Sequence, residues 1–187
     1  MNHLEQLVAE WLQYRGYFVR TSVQVGPRDR GGFEGELDVV GYHFGHRHLI
    51  HIECSLDAQS TALRQDKFAQ KFKRGRRYIK DALKAFIGDL ELPDPEQVVV
   101  LQFAGGKIRE FGGARLVTVR EFIHEIYDGL KDTSPQSKAV PSNLPLLRTL
   151  QLAADARKGA STSHRILQRD HRTSHSSHQN PSTSLET

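Results

Sequence analysis

Two neighbouring stretches decide the fold: Gly-Glu-Leu-Asp-Val-Val-Gly at residues 35–41 and His-Leu-Ile-His-Ile-Glu-Cys-Ser at residues 48–55. Residues 36–44 and 48–55 read as two strands joined by a short turn around Gly45-His46. A two-residue turn there sets Asp38 opposite Glu53 and Glu36 opposite Ser55. Alternation then puts Glu36, Asp38, Glu53 and Ser55 on one face and turns Leu37, Val39, Ile50, Ile52 and Cys54 into a core. Two carboxylates directly across a strand pair repel, so something positive belongs between them. A divalent ion is the economical answer, because Mg2+ takes one or two carboxylates with waters and a phosphate oxygen. A solvated carboxylate, or one paired with a basic residue of the following helix, is the alternative.

Before the hairpin, Leu4, Leu7, Val8, Trp11 and Leu12 have the spacing of an amphipathic helix over residues 3–14, with Gly16 as its stop. Residues 17–25 are β-branched and aromatic-rich and predict a strand closed by Gly26-Pro27, followed by a glycine-rich loop over residues 28–35. Residues 63–87 predict a long helix with an apolar stripe of Phe68, Phe72, Ile79, Leu83 and Phe86, interrupted by Gly75. Beside it runs a second stripe of Lys67, Lys71, Arg74 and Tyr78. Residues 97–103 predict a buried strand. A loop with Gly105, Gly106, Gly112 and Gly113 leads to a strand at 115–119, and Thr118 with Glu121 matches a capping box that opens a helix to about residue 130. The expected order is α, β, β, β, α, β, β, α, one α/β domain over residues 1–131. Residues 132–187 turn rich in Ser, Thr, Pro, Gln and His and are expected to be mostly disordered, with a short helix near 144–156.

A chain of 187 residues, 37% hydrophobic and 26% charged, is long enough for one packed domain with some length to spare. No apolar run reaches the roughly 18–20 residues of a membrane span, and the opening MNHLEQLVAEWL carries acids where a signal peptide would be basic. The expectation is a cytoplasmic protein without membrane association. Cys54 is the single cysteine, so one chain can form neither a disulfide framework nor a Cys-rich zinc site.

The net charge of +4 is unevenly spread. Residues 1–131 hold 19 basic against 18 acidic residues, a net of +1, and residues 132–187 hold 7 against 4, a net of +3. Within the near-neutral domain, residues 64–80 carry Arg64, Lys67, Lys71, Lys73, Arg74, Arg76, Arg77 and Lys80 against Asp66 alone, a local +7. Faces kept only for solubility usually mix signs, so this one suits nucleic-acid phosphates, with an ordinary solvated helix face as the alternative.

His43, His46, His48 and His51 do not converge in this register: His43 opposes His48, His46 sits in the turn, and His51 falls on the carboxylate face, with solvation the plainer reading. Cys54 reads as inert packing. Neither glycine-rich loop matches a GxxxxGK[ST] phosphate loop. The tail histidines His164, His171, His175 and His178 read as part of a disordered extension, with nonspecific nucleic-acid contact as the alternative.

The element order, the GELDVVG and IEC motifs, and an opening helix that ends in a "G(Y/F)xV" pattern resemble the PD-(D/E)xK nuclease superfamily, in the style of archaeal Holliday-junction resolvases and Mrr-type enzymes. The resemblance covers about residues 4–103. It implies a restriction endonuclease-like αβββαβ core, a mixed central sheet flanked by helices. It also implies an Mg2+- or Mn2+-dependent endonuclease of restriction or repair type acting on DNA, often as a homodimer. Asp38 and Glu53 would bind the metal with the backbone carbonyl of Cys54, and Glu5 would match an additional acid near it, or else be a helix N-terminal acid. The family's lysine position is Ser55 here, and a hydroxyl neither activates water nor neutralises phosphate as that lysine does. Some members supply the lysine from the next helix, where Lys67, and after it Lys71, lie on the stripe that reaches back. Lys67, Lys71, Arg74, Arg76, Arg77 and Lys80 would neutralise backbone phosphates. A nuclease-fold module that binds DNA without cutting it, and a nuclease acting on RNA, are the alternatives.

Overall fold

A computed structural model describes residues 2–57, 61–102 and 108–158 of the chain. It is an α/β protein: helix α1 (His3–Tyr14), strands β1 (Phe18–Pro27), β2 (Phe33–His43) and β3 (His48–Ser55), helix α2 (Thr61–Ile87), strands β4 (Glu96–Leu101), β5 (Glu110–Phe111) and β6 (Ala114–Thr118), and helices α3 (Val119–Leu130) and α4 (Pro145–Lys158). One mixed sheet has the order β1-β2-β3-β4-β6-β5. β1, β2 and β3 form an antiparallel meander, while β3, β4 and β6 run parallel. Among the described residues no helix is long and apolar enough to cross a membrane.

The sheet is covered on both faces. On one, α1, α3 and α4 pack on Val39, Ile50, Ile52, Cys54, Val98 and Val100. On the other, α2 spans two apolar clusters. Phe68 and Phe72 meet Val99, Leu101, Phe111 and Leu116. Ile79 and Leu83 meet Val25, Leu37, Val40, Tyr42 and Leu49. Between them lies the polar strip that makes the site.

The β2–β3 register pairs Val39 with Ile52 and His43 with His48, which carries Asp38 and Glu53 to facing positions. The expected two-residue turn is instead a four-residue one over residues 44–47, with Arg47 at φ +48°; both turns impose the same register. Strict alternation fails at Leu37, which packs on the α2 side with Val40 rather than across the sheet. The reason lies opposite Asp38: Ser22 adopts φ +52° and breaks the β1–β2 ladder between Thr21–Val39 and Val23–Leu37.

α2 runs unbroken through Gly75. Phe86, expected on its buried stripe, is 46% exposed, under the Arg20 guanidinium. The Thr118–Glu121 capping box opens α3 as expected. Gly112 and Gly113, both at positive φ, form the tight turn between β6 and the short strand β5, which falls where the sequence predicts loop. Gly105, Gly106 and Phe103 lie outside the described residues, as does the tail from residue 159 with its four histidines.

The packed body does not end near residue 131. Val140, Leu144 and Leu147 are buried in the same core as α1 and α3, so the helix expected near 144–156 is the docked α4. Its N-terminus is held by Glu10 of α1, a buried acid whose Oε2 accepts the Leu147 N–H at 2.8 Å while Oε1 accepts from Gln6. A carboxylate suits a helix N-terminus, where unpaired N–H groups carry partial positive charge. Glu10→Ala is expected to lower unfolding free energy by about 1–2 kcal/mol, measured by urea denaturation, with hydrogen exchange speeding first in α4. Unchanged protection there would show that the cap contributes nothing.

Candidate active site

Asp38 and Glu53 come from neighbouring strands and point to the α2 side. Glu53 is fully buried and Asp38 nearly so. Lys71, one turn before Gly75 on α2, lowers its ammonium between them, donating to Asp38 Oδ1 at 3.0 Å and to Glu53 Oε2. The repulsion expected across the strand pair is thus met, in this structure, by a lysine. The remaining oxygens are also engaged: Asp38 Oδ2 accepts the backbone N–H of Cys54 at 2.9 Å, and Glu53 Oε1 lies 2.8 Å from His51 Nε2.

A hydrogen-bonded chain fixes Glu53 from behind. Arg76 donates to Gln97 Oε1, which orients that amide so that its Nε2 donates to the Phe72 carbonyl at 2.8 Å and faces His51 Nδ1 at 3.4 Å. This arrangement assigns the Nε2–H tautomer to His51, whose proton is then donated to Glu53. His51 is wholly buried and not the solvated strand histidine that alternation suggests. The signal for it is Gly75. A Cβ at position 75 would stand 2.3 Å from His51 Nδ1, so the glycine inside an otherwise strong helix is space for the imidazole.

The electrostatics follow the geometry. Burial, then the Glu53 charge, push the Asp38 carboxyl up to about 7, against the pull of Lys71 and the Cys54 N–H. Burial also works to raise Glu53, but His51 and Lys71 outweigh it and hold that carboxyl below its ordinary value. Lys71 loses by burial and gains more from Glu53 and Asp38, so its pKa is raised. The ammonium serves Glu53 first, and Asp38 is the under-compensated partner. Burial, then Asp38 and Glu5, raise the Cys54 thiol, which leaves no thiolate to act as a nucleophile.

The other expected residues divide. Lys67, first in expectation as the displaced lysine, is exposed and lines a small hollow beside the carboxylates with Cys54, Ser55, Asp57, Arg64, Phe68 and Lys71; Lys71 makes the contact instead. Ser55 accepts the Asp57 N–H at 3.1 Å. Glu36 leaves the group, being exposed and bonded to Gln24. Glu5 closes a capping box with Asn2 at the start of α1, yet stays near enough to raise the Cys54 thiol. The basic stripe is partly internal. Arg74 donates to the Glu34 carbonyl at 2.6 Å, Tyr78 to the Glu34 carboxylate, and Lys80 to Asp94. Arg77 is exposed beside the Tyr78 ring. At the far end of the hairpin, His48 bridges the Tyr17 hydroxyl and Glu96, and His43 packs on Tyr17. No protein-family model matches the sequence, and the comparison with curated proteins found no match.

Proposed function

We propose that the protein is a divalent-metal-dependent endonuclease hydrolysing DNA phosphodiester bonds on a restriction endonuclease-like αβββαβ core. The α1-β1-β2-β3-α2-β4 order, with its antiparallel meander and parallel β3–β4 pair, supports that fold. The observation that carries the activity is the convergence of Asp38 Oδ1 and Glu53 Oε2 on one cationic point, the Lys71 ammonium. Two buried carboxylate oxygens aimed at a single position, one of them under-compensated, form a donor set that fits a hard divalent cation.

Asp38 and Glu53 would hold Mg2+ or Mn2+, with the Cys54 carbonyl as the third donor that the family resemblance implies. Such an ion supplies Lewis-acid polarisation and a lowered water pKa. The chain's own residues do the rest. His51, backed by Gln97 and Arg76, keeps Glu53 ionised and fixed in direction. Lys71, on a long flexible stem, would yield the point between the carboxylates to the ion and stay at its edge, where its ammonium meets an oxygen of the scissile phosphate and orients the attacking water. That role replaces the lysine missing at Ser55. Exposed Lys67, Lys73 and Arg77 would add sequence-independent backbone contacts.

One observation favours a second reading, a DNA-binding module without hydrolysis: Lys71 already occupies the point between the carboxylates. Parallel incubations of duplex DNA, single-stranded DNA and RNA with Mg2+, Mn2+ or EDTA separate the two. Metal-dependent DNA cleavage is expected. Salt-sensitive binding with no cleavage under any metal would leave only the binding module, and cleavage confined to RNA would change the substrate.

A further inference from the structure

Arg64 is the anomaly of the molecule. Only 8% of it is exposed, and its Nε and Nη2 are buried with no hydrogen-bond partner among the described residues. A guanidinium stays charged at any physiological pH, and burying two of its three nitrogens without partners is costly unless something compensates them. The Phe111 ring, 5.7 Å from the guanidinium carbon, offers only a weak attraction. Nε and Nη2 lie along one edge of the guanidinium, the fork that takes two oxygens of a phosphate or carboxylate side by side; both are closed off from solvent here, so an oxyanion in the hollow reaches them through a shift of the side chain.

This residue lines the hollow shared with Lys67, Lys71, Ser55 and Asp57, a space of about 50 Å3. At roughly 10–15 Å3 per water, that holds a few waters or one tetrahedral oxyanion. The Ser55 hydroxyl accepts the Asp57 N–H, and its own hydrogen has no acceptor among the described residues, so it adds a donor. Asp57 is exposed, with no ion pair to Arg64. Lys71 belongs to both the hollow and the carboxylate pair.

We infer that Arg64, with Lys67 and the Ser55 hydroxyl, forms a phosphate subsite that takes a nucleic-acid backbone phosphate next to the one hydrolysed. The neighbour-phosphate assignment rests on the nuclease reading; oxyanion binding does not. Ser55 is then a phosphate donor and not merely a lost lysine.

The test uses the full chain in EDTA, so that cleavage plays no part. Thermal unfolding is followed with inorganic phosphate or with chloride at equal ionic strength, and duplex binding by fluorescence anisotropy. Phosphate is expected to raise the wild-type Tm. Arg64→Met should match or exceed the wild-type Tm without phosphate, lose the phosphate response, and bind duplex about 10-fold more weakly. Asp57→Ala should bind phosphate at least as well as wild type. An Arg64→Met protein that is less stable without phosphate and equally responsive to it would overturn the subsite. If that variant does not fold, Arg64→Lys decides: it keeps the charge but not the fork, and an undiminished phosphate response overturns the proposal. Phosphate binding with no effect of Arg64 on duplex affinity would overturn the backbone assignment. A phosphate response in a protein that cleaves nothing would support the subsite while removing the nuclease.

Discussion

Lys71→Met is expected to lower DNA cleavage by about 10²–10³-fold and to destabilise the metal-free protein by about 3 kcal/mol. The two effects have one cause. Among the described residues the ammonium is the one cationic partner of Asp38, and it shares Glu53 with His51, so its removal leaves two buried carboxylates facing each other across the β2–β3 pair. A neutral methionine of similar length fills the volume without the charge. Divalent cation should then stabilise the variant more than it stabilises wild type, because it no longer displaces an ammonium; the gain grows as RT ln(1 + [M]/Kd). Thermal unfolding across a Mn2+ series measures this independently of catalysis. Asp38→Ala and Glu53→Ala should abolish both cleavage and the Mn2+ effect. Lys67→Met, which reaches only the neighbouring hollow, should lose about tenfold at most. Normal cleavage by Lys71→Met, or undiminished cleavage by the carboxylate variants, would sink the assignment.

How much of this was legible beforehand depends on the range of the interaction. The hairpin pattern at residues 35–55 sets Asp38 against Glu53 because strand alternation and a short turn are local, and the register survives a wrong turn length. The capping box at Thr118 is local in the same way. Which lysine descends is not. Lys67 and Lys71 share a stripe one helical turn apart, and the choice depends on where Phe68 and Phe72 seat α2 along the sheet. The docking of α4, though not its helix, was hidden for a similar reason: its surroundings are polar and Ser-rich, and it is held by Glu10, well over a hundred residues earlier in the chain. Leu37 escaped because one residue on a different strand, Ser22, adopts a left-handed conformation that no pattern on β2 records.

The Arg76–Gln97–His51–Glu53 chain left one trace in the sequence, Gly75, and that trace yields the second large expectation. By helix propensity alone, Gly75→Ala in the middle of α2 should stabilise by about 1 kcal/mol. The structure reverses the sign. The added methyl would lie 2.3 Å from His51 Nδ1 and 2.5 Å from Cε1, and the imidazole has nowhere to go, being fully buried and held by Glu53 on one side and Gln97 on the other. Either α2 lifts from the strip or His51 swings off Glu53; overpacking of this kind costs about 1–3 kcal/mol, and both escapes misplace the carboxylate that Lys71 contacts. Gly75→Ala is therefore expected to be less stable than wild type in urea and to cleave poorly. His51→Ala should also be destabilised, through a cavity and an unpaired Glu53 oxygen. Their combination is the decisive measurement, since the alanine methyl would occupy part of the space the ring vacates. The double variant should be more stable than the sum of the two single losses by about 1 kcal/mol or more. Strict additivity, or a Gly75→Ala protein more stable than wild type, would mean that the glycine is not there for the imidazole and that the chain behind Glu53 does not hold it.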